Sequence, residues 1–238
     1  WYRSMLYRKM DEENKIVKFM GKEIDLLASY PKSKRNLNKR ATQKSEEDIV
    51  IARKFGKDFF DGDRNYGYGG YNYDPKFWQP VVPAFKNYWN LKSENSILDV
   101  GCGKGFMLFD LYKMIPGIKL AGIDVSEYAI NSSIPEIRNF LKIANAKKLP
   151  YSSNSFDVVI SINTVHNLEK DECALALQEI SRVSKKYSFI TVDAYRNNEE
   201  KKRMLEWNLT AKTIMSVDDW ILFFKKIEYT GDYYWFIP

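Results

Sequence analysis

Short apolar segments alternate with helix-like segments from residue 96 onward, and this alternation restricts the fold more than any other feature. Five segments have the length and apolar character of buried strands: 97–100, 120–124, 143–146, 156–162 and 187–193. Helical patterns fill three of the intervals, 106–114, 126–140 and 174–183, and Pro135 interrupts the second. Strands that alternate with helices build right-handed βαβ units. The sequence therefore predicts an α/β fold with a doubly wound, mostly parallel sheet.

The C-terminal part continues this pattern less regularly. Residues 217–226 have the pattern of an amphipathic helix, and residues 232–237 that of a further strand. The stretch 210–215 between the predicted sheet and this helix fits either a partner strand or a loop over a binding pocket.

The first 90 residues differ in character from the rest. Residues 1–55 are polar and lysine-rich. We expect a helix there because apolar residues recur at helical spacing: Ile16, Val17, Met20, Ile24, Leu26 and Leu27. Residues 46–54, with Ser45 as N-cap, and residues 80–90 predict two further helices. Residues 61–71 are rich in glycine and tyrosine, which excludes a regular helix. We therefore predict a helical and Gly/Tyr-rich cap over residues 1–90 and an α/β domain over residues 91–238.

The composition favours a globular protein of a reducing compartment. The chain has 238 residues, 45% of them hydrophobic, which is enough for a large core. Cys102 and Cys173 do not make a disulfide framework, so we expect a cytoplasmic protein. His166 is the only histidine in the sequence, so we expect no metal site. No apolar run has the length of a membrane span and no signal peptide is recognisable, so we expect no membrane contact.

The charge balance raises the question of a nucleic-acid partner. The net charge is +6 at pH 7, and the densest basic run is 32–40. Lysines and acidic residues are otherwise interspersed, so a solvated linker or helix end explains this run better than a binding patch does. The sequence therefore argues against a nucleic-acid partner.

A glycine-rich turn follows the first predicted strand. Gly101, Gly103 and Gly105 let the backbone approach a ligand closely, and the helix that begins near residue 106 points its N–H groups toward it. Asp99 lies directly before the turn, and Asp124 ends the next strand, where a carboxylate can accept both hydroxyls of a ribose. The spacing differs from the GxGxxG pattern of dinucleotide sites, so an NAD(P) enzyme is disfavoured.

Four motifs in order extend this pattern: ILDVGCGKG, GIDVS, NAKKLPYSSNSFDVVIS and VHNL. Over about residues 95–195 the chain resembles the class I S-adenosylmethionine (SAM)-dependent methyltransferases, in particular those of ubiquinone and menaquinone biosynthesis. The resemblance implies a Rossmann-like fold and SAM as cofactor. The family generally closes its sheet with an antiparallel hairpin, and residues 207–236 of this chain, with one clear strand, depart from that ending. It implies that the glycine turn holds the methionine part of SAM, that Asp124 holds the ribose and that residues 145–146 frame the adenine. Many relatives carry Asp where this chain has Asn145, whose carbonyl still offers an acceptor. The cofactor-binding residues expected are Asp99, Gly101, Cys102, Gly103, Gly105, Asp124, Val125, Asn145, Ala146, Ser161 and Ile162.

Polar residues after the later strands, and in the tyrosine-rich segment, are candidates for the acceptor side. His166 matches the first histidine of an HHL-like segment in the family, and it is either a general base or acceptor-orienting group, or a structural histidine. Asn163 lies either near the transferred methyl group or in a turn. Tyr68 completes the candidate catalytic set. The expected substrate-binding residues are Arg64, Tyr66, Tyr71, Tyr73, Asp193, Tyr195 and Arg196. The alternatives are a ligand-free packed aromatic loop, and a salt bridge between Arg196 and the acids 199–200.

The function predicted from these residues is methyl transfer from SAM to an O or N atom of a small polar metabolite, such as a sugar or nucleotide-sugar derivative. One alternative is an RNA or protein methyltransferase, which the positive charge favours. Another is a non-catalytic module that binds SAM or a nucleotide. The expected partner is a small-molecule methyl acceptor, and the sequence leaves a homodimer open.

Overall fold

The structure is a computed structural model that describes residues 21–32 and 44–238. The strands are β1 (Ser96–Val100), β2 (Lys119–Asp124), β3 (Leu141–Ile143), β4 (Phe156–Ile162), β5 (Ser184–Tyr195), β6 (Met215–Ser216) and β7 (Asp232–Phe236). They form one seven-stranded sheet in the order β3-β2-β1-β4-β5-β6, and β7 also pairs with β5. All of these pairings are parallel. The predicted α/β fold with a doubly wound sheet is confirmed.

Helices cover both faces of this sheet and precede it. In the described part of the chain they are α1 (Glu46–Ala52), α2 (Lys57–Asp61), α3 (Pro75–Trp78), α4 (Val82–Trp89), α5 (Phe106–Met114), α6 (Glu127–Asn131), α7 (Lys170–Val183), α8 (Asn198–Trp207) and α9 (Val217–Lys226). Single 3₁₀ turns lie at Arg138–Phe140 and Val165–Asn167. The bounds of β4, α5 and α9 agree with the prediction residue for residue. None of the helices described over 21–32 and 44–238 has the length and apolar character needed to cross a bilayer.

A hydrophobic core lies on each face of the sheet. The side chains of β1 alternate between them, since Leu98 packs in the core under α7 and α9, whereas Ile97 packs in the core under α4 and α5. Phe85 of α4 is fully buried in this second core together with Leu108 of α5. Residues 82–89 therefore pack as part of the helical layer of the sheet, although the sequence places them in the cap.

The region between β2 and β4 differs from the prediction. The third strand, expected at 143–146, lies at Leu141–Ile143, because Asn145 accepts the Lys147 N–H through its side chain and turns the chain there. The helix expected over 126–140 is reduced to α6 and a 3₁₀ turn on the two sides of Pro135. Ser126 caps α6 by accepting the Ala129 N–H.

The prediction of a helix around Ile24 and Leu27 is wrong. Residues 22–24 instead add an extended segment to the edge of β7, where the Ile24 N–H donates to the Tyr233 carbonyl and the Tyr233 N–H donates to the Lys22 carbonyl. An edge strand leaves N–H and C=O groups unpaired, and this segment satisfies them. Ile16, Val17 and Met20 lie outside the described residues, as do residues 33–40 of the basic run.

The C-terminal end of the sheet departs from the antiparallel hairpin usual in the family, as the sequence indicates. β7 pairs with β5 in parallel register, with Phe189 opposite Asp232 and Asp193 opposite Phe236. The reason is α9, whose ten residues carry the chain back to the amino end of the sheet before β7 begins. Of the stretch 210–215, only Met215 belongs to a strand, and it pairs in parallel with Ala194 of β5.

Candidate active site

The glycine turn connects β1 to α5 at the carboxyl edge of the sheet. Gly101, Gly103 and Gly105 all have positive φ, at 88°, 54° and 77°. The N–H groups of Gly101 and Cys102 donate to the Ile123 carbonyl and tie the turn to β2. A Cβ on Gly101 would lie 2.1 Å from Thr164 Oγ1. Both the backbone conformation and the close approach of Thr164 therefore require glycine at this position.

Asp124 lies at the end of β2 and faces this turn. Its Oδ2 accepts the Gly103 N–H at 2.7 Å, and its Oδ1 accepts the Ser126 N–H at 2.8 Å. Burial raises the pKa of Asp124, while the hydrogen bonds from Ser126 and Gly103 oppose that effect. The carboxylate fixes the turn to the start of α6 and keeps further lone pairs for a ligand.

Asp99 is the second acid under the turn. It is 5% exposed, and burial, followed by the neighbouring Asp124, raises its pKa to about 8. Two buried carboxyls close together are unfavourable, and within residues 21–32 and 44–238 neither forms an ion pair, so a ligand ammonium group would stabilise them. These two acceptors therefore fit a ligand that combines an ammonium group with a ribose.

The residues after β2 and β3 lie beside Asp124. Val125 follows it with 57% of its surface exposed, and the Ala144 N–H donates to the Asp124 carbonyl. The next residues, Asn145 and Ala146, are exposed and half-buried. Val125, Asn145 and Ala146 therefore lie near the end of β2 that carries Asp124.

The floor of the site is formed by the ends of β1 and β4. Ser161 is fully buried and donates its hydroxyl to the Val100 carbonyl at 2.9 Å, while Ile162 is half-buried. Cys102 points into the core, and burial, with Asp99 and Asp124 adding to it, raises the pKa of its thiol far above the usual value. Cys102 is therefore a small inert side chain beneath the turn.

Aromatic rings of the Gly/Tyr-rich segment cover the turn from above. A Cβ placed on Gly103 would lie 3.5 Å from Tyr71 Cε1 and 3.6 Å from Phe60 Cε1. The Tyr71 ring also packs on Tyr68, with centroids 4.3 Å apart, and on Phe106, at 4.8 Å. We call residues 57–73 the lid, because they lie over the carboxyl edge of β1.

Asp61 attaches the lid to the turn. Its Oδ2 accepts hydrogen bonds from Lys104 Nζ and from Tyr128 Oη, each at 2.6 Å, and its Oδ1 accepts the Tyr71 N–H at 2.8 Å. Although burial opposes it, the hydrogen bonds from Lys104 and Tyr128 hold the pKa of Asp61 below its usual value. Asp61 is therefore an ionised hub that joins three separate segments.

Other lid residues predicted to contact the acceptor have structural partners. Arg64 donates to the carbonyls of Gly67 and Tyr68 and so holds the loop in shape. Tyr73 donates its hydroxyl to Asp110 of α5 at 2.6 Å. Tyr66 is half-buried. Tyr68, by contrast, is 44% exposed as a whole residue, while burial of its hydroxyl, followed by the negative charge of Asp124, raises its pKa to about 12. The hydroxyl therefore stays protonated near neutral pH.

His166 and Asp193 lie in the interior at the ends of β4 and β5. His166 Nδ1 accepts the Asp193 N–H at 3.0 Å, and Nε2 lies 3.8 Å from Asp193 Oδ1. Burial lowers the pKa of His166, with the carboxylate of Asp193 acting against it. Its carbonyl accepts the N–H groups of Lys212 and Thr213. These contacts support the alternative in which His166 is a structural histidine.

Asn163 has an unusual backbone at the end of β4. It is exposed and has a positive φ of 51°. Its Oδ1 accepts the Thr191 hydroxyl at 2.8 Å, and its N–H donates to Thr191 Oγ1 at 2.9 Å. The amide NH₂ thereby points away from Thr191. Asn163 is thus an exposed polar residue next in sequence to Thr164, which lies against Gly101 of the turn.

Tyr195, the last residue of β5, and Arg196 direct their side chains toward neighbouring charged residues. The Tyr195 ring lies 5.4 Å from Lys201 Nζ. The Arg196 guanidinium lies 3.8 Å from Glu200 and 3.7 Å from Glu23. The salt bridge to the acids 199–200 that the sequence left open as an alternative is present.

Sequence reasoning missed Asp61, Lys104, Tyr128, Thr164 and Thr191. Their roles come from contacts between distant segments, since Asp61 is 43 residues from Lys104 and 67 from Tyr128. A signal existed only for Lys104, whose place between two glycines of the turn puts it beside any bound ligand.

Comparisons with known proteins agree with this geometry. A family model described as "Methyltransferase domain" matches residues 91–235, more than half of the chain. The chain is 34% identical over 89 residues to "Arginine-hydroxylase NDUFAF5, mitochondrial" from Rattus norvegicus, which covers 37% of this chain and 25% of that protein. It is 30% identical over 91 residues to "Demethylmenaquinone methyltransferase" from Roseiflexus sp. (strain RS-1), which covers 37% of each chain. The matched regions thus span only a quarter to about two fifths of these relatives' lengths.

A solved structure shares the fold over a larger part. A phosphoethanolamine N-methyltransferase 2 from Haemonchus contortus, solved with phosphomonomethylethanolamine and S-adenosylhomocysteine, superposes with a TM-score of 0.54 at 17% identity. The match covers 75% of this chain and 44% of that one. The parallel sheet, the paired acids under a glycine turn and the family match agree, and the chain therefore belongs to the methyltransferase-domain family, with the class I fold and SAM as its cofactor.

Proposed function

We propose that this protein transfers the methyl group of SAM to an O or N atom of a small polar metabolite held between the lid and the end of β4. The observation that carries the proposal is the placement of Tyr71 and Phe60 directly over Gly103. A lid that reaches the cofactor turn favours a small acceptor over an extended polymer.

The geometry of the turn supports an assignment of the residues that hold the cofactor. In this proposal Asp99 pairs with the ammonium group and Asp124 with the ribose hydroxyls, while Asn145 and Ala146 border the adenine. The rings of Tyr68 and Tyr71 offer electron-rich faces to a cationic ligand. SAM supplies a methyl group already activated by its sulfonium, so the protein has to position the acceptor and exclude water.

Asn163 is the residue that we propose orients the acceptor. Its Oδ1 is engaged by Thr191, so the side chain offers N–H donors to a ligand. A donor at this place binds a lone pair of the acceptor, for example that of a hydroxyl, phosphate or carboxylate oxygen. The hydrogen bond from the Thr191 hydroxyl to Oδ1 fixes the direction of this group.

The candidate bases are poorly suited to remove a proton. The Nδ1 lone pair of His166 is occupied by the Asp193 N–H, and burial lowers the pKa of the ring. The pKa of Tyr68 is raised to about 12, chiefly by burial, so its hydroxyl stays protonated near neutral pH. Transfer by positioning alone favours an acceptor with an available lone pair, such as an amine nitrogen, over a sugar hydroxyl that needs deprotonation.

A protein acceptor is the second candidate. The rat relative's name refers to arginine hydroxylation, a modification of a different type, and the net charge of +6 suits an acidic partner surface. On this alternative the lid would open to admit a side chain such as a guanidinium group.

The test is production of S-adenosylhomocysteine by the purified protein with a panel of acceptors. The panel contains small amines and their phosphorylated forms, sugars and nucleotide sugars, arginine-containing peptides, and RNA. Turnover with a small acceptor supports the proposal, whereas turnover with peptides or RNA alone overturns it. SAM binding without any turnover would identify a non-catalytic module.

The role of Asn163 is tested with a matched pair of variants. Asn163→Ala should lower kcat at least tenfold and leave the affinity for S-adenosylhomocysteine unchanged. Asn154→Ala is the control, because Asn154 also has a positive φ, at 54°, in a turn at the opposite end of β4. Equal activity of the two variants would remove Asn163 from the acceptor site.

A further inference from the structure

The lid is connected to the cofactor turn through a buried charge. Lys104 is 4% exposed although lysine is strongly hydrated, and its ammonium lies 2.6 Å from Asp61 Oδ2. The Tyr128 ring lies 5.6 Å from the same ammonium. A buried ammonium needs a partner, and in the described part of the chain Asp61 is its carboxylate partner.

The three groups bonded to Asp61 belong to the segments that enclose the cofactor. Tyr71 lies over Gly103, Lys104 follows Gly103 in the turn, and Tyr128 belongs to α6. The start of α6 is bonded in turn to Asp124 through the Ser126 N–H. The Asp61 carboxylate thus joins the lid, the glycine turn and α6, the helix beside Asp124.

The segment that precedes the lid is fixed at a second place. Arg53, which directly follows α1, donates to the carbonyls of Thr210 and Ala211, and Lys44 donates to the carbonyls of Leu205 and Asn208. Residues 44–61 therefore run from the end of α8 to the cofactor turn and are held at both ends. Release of the Asp61 end removes the ion pair between the lid and the turn. It leaves in place the Arg53 attachment, the Tyr73–Asp110 hydrogen bond and the packing of Tyr71 on Phe106.

We propose that Asp61 is a positioning residue that clamps the lid onto the cofactor turn, so that release of the cofactor product requires rupture of its bonds to Lys104 and Tyr128. This inference rests on the proposed site, and it adds a residue outside the segment 91–235 that matches the family. Loss of the carboxylate leaves the Lys104 ammonium buried and unpaired, which favours the open lid and a distorted turn.

The test compares Asp61→Asn and Lys104→Met with the wild type in binding of S-adenosylhomocysteine. Calorimetry gives the dissociation constant, and stopped-flow tryptophan and tyrosine fluorescence gives the dissociation rate. Each variant should weaken affinity by about tenfold or more, mainly through faster dissociation. The double variant should be no weaker than the worse single variant, because both remove the same interaction.

Asp63→Asn is the control, since it also removes one negative charge from the lid. Among the described contacts, the Asp63 carboxylate accepts only the N–H of the nearby Asn65. Asp61→Glu should recover part of the affinity. A purely structural role for Asp61 would lower the melting temperature and leave the dissociation rate of the folded protein unchanged, which would overturn the inference. Failure of the wild type itself to bind S-adenosylhomocysteine would instead overturn the proposed function.

Discussion

His166 accepts a hydrogen bond at Nδ1 from the backbone N–H of Asp193, over a distance of 3.0 Å. A ring nitrogen that accepts a hydrogen bond carries no proton, so the neutral ring bears its proton on Nε2, 3.8 Å from Asp193 Oδ1. Because burial lowers its pKa, the ring stays neutral near pH 7. The pair joins the end of β4 to the end of β5 and thereby shapes the edge where the acceptor would bind.

We expect His166→Leu to destabilise the protein because it leaves the buried Asp193 N–H without an acceptor. The cost should be about 1–3 kcal/mol in the free energy of unfolding, measured by urea denaturation. His166→Asn should retain most of the stability, since its Oδ1 replaces Nδ1 at the same distance from the backbone. If His166 were instead the general base, both variants would lose turnover to the same extent while Asn kept normal stability.

The parts of the fold that the sequence predicts are those that local pattern determines. β4 is predicted to the residue because Val158, Val159 and Ile160 are buried in succession, as expected for a central parallel strand. α5 is equally well defined because Gly105 precedes it in a left-handed conformation and its first six residues are buried.

The parts that the sequence does not predict depend on partners far along the chain. Residues 22–24 are extended because they pair with β7 near the C-terminus, which overrides the helical spacing of Ile24 and Leu27. In the site, the motifs of the sequence identify Asp99 and Asp124, whereas the hydrogen bonds of Asp61 depend on the fold of the lid and cannot be predicted locally. The ion pairs of Arg196 also depend on the fold, because its partners Glu200 and Glu23 come from two different segments.

The raised pKa of Asp99 predicts a pH-dependent affinity for the cofactor. With a pKa of about 8 the ligand-free carboxyl is protonated near neutral pH, and pairing with a ligand ammonium requires its ionised form. Affinity for S-adenosylhomocysteine should therefore rise up to tenfold per pH unit between about pH 6 and 8, with release of a proton. Calorimetry in buffers of different ionisation enthalpy measures both quantities.

Asp99→Asn is the control for this prediction, and its affinity should be lower and independent of pH over the same range. The stability of the ligand-free protein gives an independent check. The native state keeps a proton on Asp99 that the unfolded state has lost, so wild-type stability falls as pH rises from about 4 to about 8. Asp99→Asn should remove this decline, and a flat wild-type profile would contradict the assignment.

Gly101 gives a prediction about the close approach of Thr164. Gly101→Ala should abolish cofactor binding and lower stability, because the new Cβ would lie 2.1 Å from Thr164 Oγ1. Gly117→Ala is a matched control, since φ is 91° at Gly117 and 88° at Gly101, while a Cβ on Gly117 would approach Ser93 Cβ only to 3.3 Å. The control should lose about 1–2 kcal/mol and keep its affinity. Thermal unfolding and calorimetry on both variants separate the effect of the clash with Thr164 from the effect of backbone strain. Equal losses of stability and of affinity in the two variants would show that the Thr164 side chain moves aside to accommodate the new Cβ.

Asp124 gives the sharpest test of the cofactor site. Asp124→Ala removes the acceptor for the Gly103 and Ser126 N–H groups together with the proposed ribose contact. We expect the affinity for S-adenosylhomocysteine to fall on the order of 100-fold, as for the loss of one or two hydrogen bonds to a charged group. Asp157→Ala is the control, because Asp157 also accepts a backbone N–H, from Ser96, at the opposite edge of the sheet. Its variant should lose stability and keep its affinity. If both variants bind equally well, Asp124 holds only the turn, and the ribose must bind elsewhere.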